Sequence, residues 1–274
     1  MRFSHLILAS LICLLSTIGI HAAVVDGVVL HLPFDEGSGT VTQDMSGNGN
    51  DATLVGNPQW VDGKFGMALQ FNGEENSNYV EVPDSPSLNP ELEITCAAWI
   101  YFDEFHPSAG IISKYIGSGN QRSYNIHMNH TEDSLAIASG CSSNGIYQAG
   151  VSTTVTNTEE GTLTAGEWQH VAMTFRASEF LRIYINGELK ADEDASATES
   201  IFDNEVPLLI GTDFEIGGEH NGQPREFTGI IDEVMVFNRA LSDEEIGEIM
   251  EGTSTAALDA TGKLTTTWAS MKEE

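Results

Sequence analysis

The sequence is poor in basic residues. Of its 274 residues, 11 are Lys or Arg and 41 are Asp or Glu, which gives a formal net charge of −30. Proteins that bind nucleic acids contact the phosphates through clustered Lys and Arg, so the composition argues against a nucleic-acid partner. The acidic residues are spread along the chain, which indicates a solvated surface that attracts cations.

Long apolar runs are also scarce, and the clearest one lies at the start of the chain. The segment MRFSHLILASLICLLSTIGIHAA combines a basic Arg2, an apolar stretch and small residues at its end, as secretory signal peptides do. No later stretch approaches transmembrane length. We expect a signal peptide over residues 1–22, with a retained anchor as the alternative. The protein is then secreted or on the cell surface, or periplasmic, and does not insert into the membrane after the signal is removed.

Cysteine is rare as well. Cys13 lies in the predicted signal segment, which leaves Cys96 and Cys141. An even pair in a secreted chain predicts a disulfide. Two buried free thiols are the alternative, because the sequence does not give the Cα separation that the bond requires.

Short β-strand patterns, in contrast, are abundant. They are rich in β-branched and aromatic residues, many alternate with period two, and Gly, Asn, Asp and Pro separate them; examples are GVVLHLPF (27–34), ITCAAWIYF (94–102), WQHVAMTF (168–175) and GIIDEVMVF (229–237). Many short strands without intervening helices indicate a sandwich or barrel. Asn186-Gly187 predicts a two-residue type I′ hairpin turn.

One helix is predicted near the C-terminal end. In NRALSDEEIGEIMEG, Ser242 and Glu245 have the spacing of a capping box, and Gly252 can end the helix. The following segment, residues 253–274, is polar and Thr-rich. We expect it to be a loosely attached or disordered tail, with a short docking segment as the alternative.

The order of these segments resembles a LamG-like (laminin G-type, concanavalin A-like) jelly-roll domain. LHLPFDEGSGTVTQDMSGNGNDATLVG is similar to the opening of such domains, YVEVPDSPSLNPELEITCAAWIYF to their second signature, and FTGIIDEVMVFNRALSDEEI to their closing strand and helix. The resemblance covers nearly all of the expected mature chain. It implies an all-β, two-sheet antiparallel jelly-roll sandwich with one short C-terminal helix, over residues 24–252. It also implies a binding or adhesion module, often with one calcium ion.

The resemblance further implies where a structural calcium ion would bind. It would join an acid after the first strand to an acid in the last strand, with help from the loop QDMSGNGNDATLVG (43–56). The implied ligands carry the oxygen atoms that calcium prefers: Asp35, Asn48, Asn50, Asp51 and Asp232. The loop lacks the residue order of an EF-hand. The alternative is an ordinary turn, in which Asp44 forms an Asx turn and Gly47 and Gly49 take positive φ.

Motifs of catalysis are missing. No strand reads E-x-D-x-x-E, and neither G-x-S-x-G nor a phosphate-binding P-loop is present. The histidines do not follow the spacings of helical zinc sites. We therefore predict that the protein is not an enzyme. A divergent glycoside hydrolase or lyase on the same fold is the alternative.

The middle of the chain offers a candidate ligand surface. Aromatic rings can stack on sugars, while amides and imidazoles bond to hydroxyl groups; the candidates of these types are Tyr115, Tyr124, Asn125, His127 and Asn129. In SYNIHMN the apolar and polar residues alternate, so one set should face the core. An ordinary polar strand face is the alternative. The sequence predicts a secreted, non-catalytic binding module for an extracellular glycan or protein, with a structural adhesion module as a further alternative.

Overall fold

The computed structural model describes residues 26–73, 78–116, 119–212 and 225–252. The predicted signal peptide and the predicted C-terminal tail lie outside these residues. The described chain forms sixteen strands in two antiparallel sheets, one short 3-10 turn and one α-helix. No helix in these ranges is both long enough and apolar enough to cross a membrane.

The first sheet, named sheet A, contains eight strands: β1 (Val28–Leu32), β4 (Gln59–Asp62), β5 (Met67–Asn72), β7 (Glu93–Tyr101), β12 (Gln169–Arg176), β13 (Phe180–Ile185), β14 (Glu188–Asp194) and β16 (Thr228–Phe237). Its strand order is β14-β13-β12-β7-β16-β5-β4, and β1 also pairs with β16. The first and last strands of the described chain are therefore hydrogen-bonded neighbours, as expected for a jelly roll.

The second sheet, named sheet B, also contains eight strands: β2 (Val41–Thr42), β3 (Ala52–Gly56), β6 (Asn78–Val82), β8 (Gly110–Ile116), β9 (Gln121–Met128), β10 (Ile137–Gly145), β11 (Thr153–Asn157) and β15 (Leu208–Ile210). Its order is β11-β10-β9-β8-β15-β6-β3-β2. The predicted fold class, a two-sheet antiparallel sandwich with one C-terminal helix, is confirmed.

The core lies between the inner faces of the two sheets. It contains alternate residues of each strand, because successive side chains of a strand point to opposite faces. On β9 these are Tyr124, Ile126 and Met128, and on β7 they include Ile94, Ala98 and Ile100. The outer faces carry the residues in between, and these residues determine what each sheet can bind.

Two local predictions are confirmed. Asn186 and Gly187 have φ of 50° and 77°, as the predicted hairpin turn requires. Helix α1 (Asp243–Met250) begins with the predicted capping box, in which the Ser242 side chain accepts from Glu245 N and the Glu245 side chain accepts from Ser242 N. The helix packs with Ile246 and Ile249 on the outer face of sheet A.

The predicted disulfide is not formed in this structure. Cys96 and Cys141 are both free and buried. Cys96 belongs to β7 of sheet A and Cys141 to β10 of sheet B. Sheets that pack face to face lie about 10 Å apart, further than the usual disulfide Cα separation of about 4.4–6.8 Å. Burial raises the pKa of both thiols, so neither is an activated nucleophile.

Candidate functional site

The outer face of sheet A is covered along much of its length. At one end, α1 lies on Ala97 and Phe237. In the middle, the turn between β4 and β5 folds over Trp99: the Lys64 ammonium group lies 4.2 Å from the centroid of the Trp99 ring, and the Phe65 ring lies 6.2 Å away. These contacts leave little of the sheet open around Trp99, which is 6% exposed.

Asp232 is buried under the same turn. Its Oδ2 atom accepts from the backbone N–H groups of Lys64 (2.8 Å) and Phe65 (3.0 Å), and its Oδ1 atom accepts from Glu233 N at 2.8 Å. Burial raises the pKa of Asp232 to about 8, against the opposing effect of these hydrogen bonds. The carboxyl group therefore has a structural role, which is to hold the β4–β5 turn on β16.

Asp35 reaches the same turn from the other side. Its Oδ1 atom accepts from Met67 N at 2.9 Å. Burial raises the pKa of Asp35, and the nearby Glu233 and Glu36 carboxylates raise it further. Glu233 in turn lies 2.8 Å from Nε2 of the buried His31. The structure thus brings together Asp35 and Asp232, the two charged ligands that the family resemblance implied.

The loop 43–56 does not join them. Asp44 organises this loop by accepting hydrogen bonds from Ser46 N (2.9 Å) and Asn50 N (3.0 Å). The Asn48 amide donates to Val28 O, and the Asn50 amide donates to Val29 O. Gly47 and Gly49 have φ of 86° and 77°. These are the features of the alternative prediction, an Asx turn with glycines at positive φ.

The implied calcium ligands therefore do not converge on one point. Asp51 accepts from Asp44 N at 2.9 Å, while Asp35 and Asp232 bind the β4–β5 turn. Within the described ranges, no group of three or more His, Cys, Asp or Glu side chains is arranged to hold a metal ion. The residue set does not fit a single calcium site, because the side-chain amides and Asp51 serve the loop's own backbone.

The outer face of sheet B is different, because its polar side chains are buried although no described helix or strand lies across them. Ser113 on β8 lies opposite Asn125 on β9, and Gly140 on β10 lies on the other side of Asn125. Ser113 is 0% exposed, Asn125 3% and His127 6%. An outer face normally carries solvated polar residues. We name the buried polar residues Ser113, Asn125 and His127, together with the neighbouring Gly140, the polar recess of sheet B.

Asn125 stands out within this recess. No hydrogen bond joins its side-chain carboxamide to another described residue, and the residue is 3% exposed. The amide atoms are not among the fully buried polar atoms that lack a partner, so the carboxamide keeps some contact with solvent. Gly140 packs closely beside it: a Cβ atom there would lie 3.5 Å from Asn125 Oδ1 and 3.1 Å from Val155 Cγ1, which is a tight contact. A larger side chain at position 140 would therefore crowd the Asn125 carboxamide.

Two histidines border the same recess. The His127 and His130 rings lie 4.5 Å apart, with an angle of 37° between their planes. His130 Nδ1 lies 2.8 Å from Ser108 Oγ, and His127 Nδ1 lies 2.8 Å from Met128 O. The His127 ring nitrogen facing the carbonyl must be the donor, which fixes a tautomer. The two imidazole rings therefore place polar groups beside Asn125.

The other predicted ligand residues, Tyr124, Asn129 and Tyr115, lie in different parts of the structure. Tyr124 faces the core, is 0% exposed, and donates its hydroxyl to Leu88 O at 2.9 Å. The prediction that Tyr124 binds ligand is wrong, because alternation places it on the inner face with Ile126. Asn129 Oδ1 accepts from Thr131 N in the loop after β9. Tyr115 is half-buried beside Arg122, whose guanidinium carbon lies 5.6 Å from the ring centroid.

Sequence reasoning missed several residues of this recess. Ser113 and Gly140 flank Asn125 only because β8, β9 and β10 are adjacent. An isolated Gly inside an apolar strand pattern is a known signal of close approach, and SLAIASGC (134–141) contains one. His130 follows β9 and packs back onto His127, which strand alternation alone does not predict.

The sandwich of two antiparallel sheets and its polar recess define a jelly-roll domain of the kind found in lectins and related proteins. Residues 72–247 match the family model of the concanavalin A-like lectin/glucanases superfamily (Laminin_G_3). The chain belongs to this superfamily. The predicted family is therefore confirmed.

Several relatives are toxins or toxin domains. The chain is 24% identical over 226 residues to "Botulinum-like toxin eBoNT/J" of Enterococcus sp. (strain 3G1_DIV0629), covering 82% of this chain but 17% of the toxin. The binding domain of Paraclostridial Mosquitocidal Protein 1 superposes with a TM-score of 0.61 at 19% identity, over 83% of this chain and 52% of that one. The binding domain of botulinum neurotoxin DC, solved with rat synaptotagmin II, gives 0.62 at 15%, over 85% and 53%. At such identities the solved structures show a shared fold, and the chain spans about half of each.

Proposed function

We propose that the protein is a secreted, non-catalytic binding module that holds an extracellular glycan in the recess on the outer face of sheet B. The observation that carries the proposal is the carboxamide of Asn125, which lies on the outer face of sheet B, has no hydrogen bond to another described residue and keeps some contact with solvent. A carboxamide offers both donors and an acceptor, which matches the hydroxyl groups of a sugar. Ser113, His127 and His130 surround it with further polar groups.

The comparisons support a binding role in general terms. Structures with this fold include toxin binding domains, one solved with a protein, synaptotagmin II, and one solved with SialylT. The choice of a glycan for this chain rests on the small polar recess, because a protein partner usually needs a wider apolar centre. Calcium dependence stays a prediction, since its implied ligand set is not assembled within the described residues.

The test is a glycan array probed with the purified wild-type protein, with and without calcium, and with Asn125→Ala. The matched control is Gln43→Ala, which removes an exposed carboxamide at the opposite edge of sheet B. We expect one or more glycans to bind the wild type and the control alike. Asn125→Ala should weaken that binding about tenfold or more, because it removes two or more hydrogen bonds worth about 0.5–1.5 kcal/mol each.

An unchanged array pattern for Asn125→Ala would contradict the proposed site. Binding of a protein ligand in place of any glycan, with the same loss in Asn125→Ala, would retain the site and replace the ligand class. The arrays with and without calcium test the metal separately from the binding site. Glycan binding that does not depend on calcium would contradict the calcium prediction alone.

A further inference from the structure

A groove opens on the outer face of sheet A, beyond the part covered by α1 and the β4–β5 turn. Its volume is about 550 Å³, and it lies between β4, β5, β16 and the segment that follows β7. Carboxamides line one side, notably Gln59 and Gln70, and carboxylates line the other, Asp103 and Glu104. All four side chains are exposed.

Strand pairing explains how this lining is assembled. Gln59 lies opposite Gln70, Gln70 opposite Ile230, and Ile230 opposite Tyr101. These four residues form one row across β4, β5, β16 and β7. Neighbouring strands lie about 4.8 Å apart, so the row spans roughly 14 Å. This length suits an extended ligand better than a single small ring.

Aromatic side chains continue the row. The Trp168 and Tyr101 rings have centroids 5.8 Å apart. Tyr101 also donates its hydroxyl to Asp103 Oδ1 at 3.1 Å, which ties the aromatic pair to the wall of the groove. Both aromatic residues are partly exposed, so their rings are available to contact a ligand.

The lining also limits the chemistry of that ligand. None of the residues that line the groove is Lys or Arg, and the two carboxylates disfavour anions. The carboxamides provide donors and acceptors together, whereas a cation would need acceptors alone. Hydroxyl groups also donate and accept, and the apolar faces of sugar rings can stack on Tyr and Trp rings.

We propose that this groove is a second binding site, which takes a neutral oligosaccharide through Gln59, Gln70 and Asp103, with Tyr101 and Trp168 beside it. It lies on the opposite sheet from Asn125, so the two sites use different strands. Its ligand is uncharged and extended, and it contacts amides at one end of the row and aromatic rings at the other.

The test uses an array of neutral gluco-, manno-, galacto- and xylo-oligosaccharides of three to six units. The wild type is compared with the double variant Gln59→Ala/Gln70→Ala, with Asn125→Ala and with the control Gln43→Ala. We expect at least one oligosaccharide whose binding falls about tenfold or more in the double variant and stays within about twofold in the control. Thermal unfolding of the double variant should match the wild type, because both glutamines are exposed.

The groove proposal is wrong if no neutral oligosaccharide loses binding in the double variant. It is also wrong if the double variant changes only the binding of oligolysine, included on the array as a cationic probe. If every signal falls in Asn125→Ala and none in the double variant, the groove fails while the site on sheet B stands. The reverse pattern supports the groove and removes the site on sheet B.

Discussion

The two outer faces of the sandwich differ in the kind of side chain that is buried and in what covers it. On sheet A, apolar residues such as Ala97 and Phe237 are covered by α1, and Trp99 is covered by the β4–β5 turn. On sheet B, polar residues such as Ser113 and Asn125 are sunk in a recess, and no described helix or strand lies across them. The first arrangement stabilises the fold. The second arrangement is the one that we propose for ligand binding.

Each sheet also contains a buried side chain that can carry a charge, Lys114 on sheet B and Asp232 on sheet A. The two differ in their hydrogen-bond partners. Lys114 on β8 donates to Asp84 Oδ1 (2.8 Å), to Asn204 O and Oδ1 (2.9 and 2.8 Å) and to Val206 O (2.7 Å). Among the described residues, Asp232 on β16 accepts only from backbone N–H groups and forms no ion pair with Lys, Arg or His. The Lys114 ammonium group therefore has four acceptors, although burial still lowers its pKa, whereas no cation offsets the burial of ionised Asp232.

The largest effect is expected from Lys114→Met. The change leaves the Asp84 carboxylate and three further acceptors without their donor, which costs about 3–5 kcal/mol for a buried pair, and about 3 kcal/mol here because Asp84 is 30% exposed. Chemical denaturation measures this loss. Lys190→Met is the control: it breaks an exposed pair with Glu188, worth about 0–1 kcal/mol. Equal losses in both variants would contradict the larger contribution expected of the buried Lys114 pair.

A smaller loss is expected when the cover of sheet A is weakened. Ile246 on α1 is 0% exposed against the sheet. Ile246→Ala should lower the free energy of unfolding by about 2–3 kcal/mol, and Ile246→Val by about 1 kcal/mol. Affinity for the glycan of the sheet B recess should not change in either variant, since α1 is remote from sheet B. A loss of binding in a folded Ile246→Ala protein would show that the two faces are coupled.

The last prediction concerns the pH dependence of Asp232, whose effect for each pH unit is smaller than the losses expected for Lys114→Met and Ile246→Ala. Its pKa is about 8 in the folded protein and roughly 3.9 when unfolded, so the folded state holds the proton more tightly. Its contribution to stability is present below about pH 4 and is lost as the pH rises towards 8. The stability of the wild type relative to Asp232→Asn should therefore fall by up to about 1.4 kcal/mol per pH unit between pH 5 and 7. Denaturation at several pH values measures the slope, with Asp192→Asn as the exposed control. If the stability of the wild type relative to Asp232→Asn rose with pH, this would contradict the burial of a carboxyl group that no cation neutralises.

The features that the sequence predicts well are local. The Asn186-Gly187 turn, the Ser242 capping box and the alternation through β9 each depend on residues close together in the chain. That alternation correctly separates Asn125 from the core-facing Ile126. It also shows that Tyr124 belongs to the core, which the prediction of a ligand role overlooked.

The features that the sequence does not predict depend on distant pairing. The groove on sheet A joins Gln59, Gln70, Ile230 and Tyr101 from four separate segments. The implied calcium site stays a prediction, since the family resemblance gives the order of segments but not the hydrogen-bond partners of Asn50 or Asp51. Backbone groups near the loop 43–56 take up those side chains.

Asn125 is the central residue of the proposed site on sheet B, and its side-chain amide can be observed directly. In ¹⁵N–¹H spectra, the carboxamide resonances of Asn125 are identified by their loss in Asn125→Ala. Titration with the best glycan from the array should shift these resonances in step with saturation, while those of Gln43 stay in place. Glycan binding that saturates without moving the Asn125 carboxamide signals would contradict a ligand site on sheet B.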